Sequence, residues 1–80
     1  MAIVTADNTD WVLCAPGPCD VSVRGFALIH TGLVKPALDN EDYDEIQSKR
    51  DGGVYPYGGT ENVYMRSPTS AVVSARVTVA

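Results

Sequence analysis

The strongest constraint on what this chain can fold into is a rhythm of two. In "CDVSVRG", Val21 and Val23 alternate with Asp20, Ser22 and Arg24. In "VSARVTVA", Val73, Ala75, Val77 and Val79 alternate with Ser74, Arg76 and Thr78. A strand turns successive side chains to opposite faces, so each run carries one apolar and one polar side. "ENVYMRS" adds a third run, with Val63 and Met65 on one side and Tyr64 and Arg66 on the other. "AIVT" and "WVLC" are two further β-rich runs near the start. "FALIH", 26–30, is apolar on both sides, which suits a central strand or one covered by a neighbouring chain.

The segments between these runs are rich in turn formers. "ADNTD" and "APGP" separate the first three, and Pro16 and Pro18 lack the N–H that a ladder needs. "SPTS", 67–70, has the length of a hairpin connection, and Gly25 marks a bulge ahead of "FALIH". The middle, 35–60, breaks the pattern. Over 39–50 it reads two ways. One is a short helix capped by Asp39 with Tyr43 and Ile46 on one face; the other is a polar excursion with a short extended piece near Ile46. The expected fold is all-β: a single domain, 1–80, forming a small antiparallel β-sandwich or barrel with a long irregular loop over about 35–60.

Size and charge narrow the job. A chain of 80 residues buries only about 60–65% of its unfolded surface, so a staple or a partner is a natural expectation. The net charge is −4 and only Lys49 and Arg50 are adjacent cations, which argues against a nucleic-acid partner. No stretch has the length and apolarity of a membrane span, and the start lacks a basic, then apolar, leader. The expected place of synthesis is a reducing cytoplasm.

Candidate chemistry is sparse. Cys14 and Cys19 flank the "APGP" turn; they are either reduced structural thiols or a disulfide closing a very small loop, worth about 2 kcal/mol. A metal or redox site is disfavoured, because the only histidine, His30, is distant and the spacing is not Cys-x-x-Cys. His30 ends an apolar run and is expected to be structural. "DNEDYDE" lacks the spacing of a calcium loop and reads as a solvated stretch before a weak cation site. No catalytic residues, cofactor or metal are therefore assigned, and the chain is not expected to be an enzyme. In "GGVYPYGG", Tyr55 and Tyr57 are either a contact loop or an edge strand whose rings cover the domain's own core. Phe26, Leu28, Tyr55, Tyr57 and Tyr64 are the interface candidates.

The order of features resembles that of small tailed-phage virion proteins. A Trp precedes a Gly/Pro turn in "DWVLCAPGP", and an alternating strand "CDVSVRG" follows. An irregular segment then opens at Pro36, and a Val-Tyr-x-Arg run leads into a last alternating strand in "NVYMRSPTSAVVSARVTVA". The resemblance implies a small β-sandwich in the virion, a homo-oligomer (most often a trimer). It would decorate the capsid or anchor a tail or fibre, with the major capsid protein or a tail/fibre protein as partner. Docking would use loops or the N-terminal "MAIVTADN" segment. The alternative is a receptor- or glycan-binding tip, in which Trp11, Tyr55, Tyr57 and Tyr64 stack on sugar rings.

Overall fold

The structure is a computed structural model that describes residues 2–79, with only the backbone at 50 and 51. The strands are β1 (Ala2–Ala6), β2 (Val12–Pro16), β3 (Cys19–Arg24), β4 (Phe26–Gly32), β5 (Asp44–Gln47), β6 (Val54–Tyr57), β7 (Asn62–Arg66) and β8 (Val73–Val79), with a helical turn α1 (Ser48–Asp51) after β5. They form two antiparallel four-stranded sheets, one ordered β1-β8-β3-β6 and the other β2-β7-β4-β5. The expected sandwich is what forms.

The pairing is nested. β1 lies beside β8, β2 beside β7, β3 beside β6, and β4 beside β5. The chain is thus one long double-stranded ribbon, doubled back at residues 33–43 and rolled into two layers. That wiring is a jelly roll.

Alternation supplies the core. β3 buries Cys19, Val21 and Val23 and exposes Asp20, Ser22 and Arg24, while β8 buries Val73, Ala75 and Val77. They meet Ala15, Ala27, Ile29, Ile46, Val63 and Met65 from the facing sheet. Each fully buried side chain such as Val63 or Met65 contributes about 1.5–3 kcal/mol of transfer free energy.

Several connections differ from the sequence expectation, for one reason. Both sheets must send apolar faces into the same core, so the chain changes sheet at nearly every turn. "SPTS" is not a hairpin, because β7 and β8 belong to different sheets. The "APGP" turn likewise crosses between sheets and contains a cis Gly17–Pro18 peptide. Gly25, at φ 100°, is a corner from β3 to β4 and not a bulge within a strand. The bulge lies in β2, where the register shifts between Leu13 and Ala15. It lets Cys14 as well as Ala15 face the core.

The two readings of 39–50 also resolve. Asp39 caps no helix; Asp44–Gln47 pairs with Phe26–Ile29 as an edge strand. The helical turn comes later and is pinned by two bonds to Gly25: Ser48 Oγ accepts at 3.2 Å from Gly25 N, and the Ser48 amide donates at 2.9 Å to Gly25 O. The interval 35–60 is therefore irregular only in part and contributes β5 and β6. "AIVT" is strand β1, so Ala2–Ala6 is an edge of the first sheet and not a free arm.

Candidate functional site

β4 has two apolar faces, and the structure uses both. Ala27 and Ile29 enter the sandwich, while Phe26, Leu28 and His30 face outward from the second sheet. Residues 33–43 return over that outward face as a strap. Beneath it Trp11, Leu28 and Tyr64 are buried at 2%, 3% and 6% exposure, with Phe26 and Tyr43 half-buried against them. The domain therefore has three layers at this place: sheet, sheet and strap.

Specific bonds hold the strap down. The Trp11 indole N–H donates to Ala37 O at 3.1 Å. His30 Nδ1 lies 2.7 Å from Asp42 O. A carbonyl only accepts, so Nδ1 carries the hydrogen. Asn40 Nδ2, at 3.3 Å from the same nitrogen, then directs its own hydrogen to Asp42 O at 3.1 Å. Lys35 Nζ reaches Asp10 Oδ2 at 2.8 Å, the one ion pair among the described residues. Lys35 and the Trp11 amide together hold the Asp10 carboxyl below its usual value. The rings pack at tilted angles, Trp11 to His30 at 5.9 Å and Trp11 to Tyr43 at 6.2 Å between centroids. The Arg66 guanidinium sits 5.4 Å from the Trp11 ring centroid, a cation–π contact.

Tyr57 makes a second lock. Its ring fills the space between Gly17 and Gly59, and a Cβ on Gly17 would lie 2.6 Å from it. Its hydroxyl accepts the Glu61 amide at 3.3 Å, and Gly17 N donates to Glu61 O at 2.8 Å. Gly17 of "APGP" and Gly59 of "GGVYPYGG" leave room for this one ring. Tyr55 packs against the core and donates to Asp44 Oδ2 at 3.0 Å; burial, then Asp44, pushes its hydroxyl up to about 12.

The interface candidates thus divide. Leu28 and Tyr64 are buried beneath the strap. Tyr55 and Tyr57 take the edge-strand reading, their rings covering the domain's own core. Phe26 is half-buried at the rim of the strapped layer. Trp11 was legible only as a glycan-stacking candidate, yet it anchors the outer layer. Its position directly ahead of an apolar run was the available signal. Cys14 and Cys19 are both free thiols. Burial, then its neighbour Cys19, pushes the Cys14 thiol up to about 12.

Apolar surface remains on the strap itself. Leu33 and Val34 are 76% and 75% exposed, and Leu38 is 47% exposed. Leu13, on the outward face of β2, is half exposed as well. The five carboxylates Asp39, Glu41, Asp42, Asp44 and Glu45 are exposed on the strap and at the start of β5. Comparison with known proteins finds no matching family model, curated protein or solved structure.

Proposed function

We propose that this protein is a structural component of a bacteriophage virion, one that associates with its own copies and docks on a capsid or tail surface. The observation that carries the reading is the consecutive pair Leu33 and Val34, about three-quarters exposed on a strap whose bonds hold it in place. Exposed apolar side chains on a fixed support gain free energy when a second surface covers them. Three supports accompany it. A chain of this size has a marginal core and gains from association. The jelly roll serves in viral shells, an analogy of fold and not of site. The order of sequence features resembles small virion proteins.

The alternative, a glycan- or receptor-binding tip, needs aromatic faces open to a sugar. Trp11 and Tyr64 lie beneath the strap, and Tyr55 and Tyr57 turn toward the core. The structural role is therefore preferred.

The test is mass spectrometry of gradient-purified particles from the host that carries this sequence. The chain is expected in a fixed ratio to the main shell protein. Its presence only in the unassembled fraction would sink the reading.

A further inference from the structure

A two-sheet sandwich has four edges, here β1 and β6 in the first sheet and β2 and β5 in the second. A free edge offers unpaired N–H and C=O groups to any extended segment, and folded proteins normally block it. Three of these edges are blocked. β2 has a bulge between Leu13 and Ala15 and ends in Pro16. β5 has four residues, two of them exposed acids, Asp44 and Glu45. β6 is equally short and carries Pro56. Among the described residues, β1 alone has no device. Ala2–Ala6 is uncharged, contains no proline, and keeps an unbroken register with β8.

We infer that β1 is a self-pairing edge, joining two copies of this chain in antiparallel fashion across a two-fold axis. The inference rests on the self-association put forward above and names its surface. The strand is suited to its own copy. Centred on Val4, antiparallel pairing sets Ile3 opposite the partner subunit's Thr5 and Ala2 opposite the partner subunit's Ala6. Both Ile3 and Thr5 are exposed on the outer face, Ile3 at 65%, and the axis keeps that face common to both copies. No charge meets a like charge across such a seam. The other three edges bring acids, prolines or a bulge to the same contact. A groove of about 210 Å³ lined by Thr5, Ala6, Asp7, Val12 and Val72 runs beside the end of β1, so the contact extends past the ladder onto apolar surface. The product is one continuous sheet of eight strands, with β1 at its centre twice.

Sedimentation of three proteins tests this. Wild type is expected as a dimer or a higher even-numbered assembly. Ile3→Lys/Thr5→Lys places two lysine pairs across the seam and is expected to raise the dissociation constant at least about tenfold. Ile3→Glu/Thr5→Lys places opposite charges at the same two points and is expected to restore the dimer. Both positions are exposed, so far-UV circular dichroism should match wild type, while melting loses only the part that depends on protein concentration; a double-lysine variant that unfolds leaves the Glu/Lys variant and β1 amide exchange in wild type to decide. An assembly indifferent to the double lysine, or an odd-numbered one, overturns the seam and leaves self-association standing. A wild type that stays monomeric at millimolar concentration overturns both.

Discussion

The indole nitrogen of Trp11 and the carbonyl of Ala37 are 3.1 Å apart, and this one bond joins the approach to β2 with a strap 26 residues further along the chain. His30, Tyr43 and the Arg66 guanidinium pack around that ring. Trp11→Ala should cost about 3–5 kcal/mol in denaturant unfolding, as for other buried large-to-small changes. Trp11→Phe keeps most of the apolar area and loses the bond, so about 1 kcal/mol is expected. A Trp11→Phe protein as stable as wild type would show that the indole N–H contributes nothing.

Gly17→Ala and Gly59→Ala each drive a methyl group into Tyr57, and the Gly17 methyl also meets the Gly59 carbonyl oxygen. Losses of about 1–3 kcal/mol are expected from such overpacking. Gly58→Ala meets nothing within 4 Å and serves as the control. Thermal melts of the three variants separate a steric cause from a general dislike of alanine in this loop.

Val77 is buried between β1 and β3, whereas Thr78 beside it is exposed. Val77→Asp should unfold the domain, because it puts an unpaired carboxylate in the core. Thr78→Asp should leave the melting temperature within a few degrees of wild type. Unfolding by Thr78→Asp with a Val77→Asp protein that melts like wild type would mean the faces of β8 are reversed.

Acid should loosen the strap. Lys35 and the Trp11 amide lower the folded-state value of Asp10, so its contribution is complete above the ordinary carboxylate value of about 4. It drains away as the pH falls through that range toward the folded-state value. Trp11 fluorescence should change there, and Lys35→Met should move the onset to higher pH. A signal that is flat from neutral to strongly acid pH in both proteins would remove Asp10 from the clasp.

The Cys14 thiol, raised to about 12, should resist alkylation at pH 8 in the folded protein. It holds about a thousandfold less thiolate than an unperturbed cysteine. Labelling that is as fast in the native protein as in denaturant would show that β2 opens readily. A native mass lower by two hydrogens would show a bridge instead.

Legibility in the sequence followed the length of each pattern. β3 and β8 repeat the alternation over several residues, and their inward and outward faces are as the spacing implies except at Val79, which is exposed at the end of β8. Tyr64 and Arg66 fall opposite Val63 and Met65 for the same reason. "FALIH" showed that its second face must be covered, but not by what: covering by residues 33–43 depends on where a distant loop lands. β5 and β6 were each legible only as one of two readings, because four residues are too few for a period. Asp44–Gln47 is a strand only because Phe26–Ile29 offers it a ladder. Turns misled where they crossed layers, since a hairpin and a corner use the same residues. The candidate site suffered most, because aromatic side chains that look like recognition groups in a list of residues are the ones a small domain uses to fill itself.

The nested pairing sets a schedule for synthesis. β4 and β5 can meet as soon as both are made, yet β1 has its ladder partner in β8, about 70 residues further along. That strand must wait, unzipped and uncharged, until β8 has been made. A nascent copy therefore exposes the bare strand longest just where neighbouring copies on the same message are most crowded.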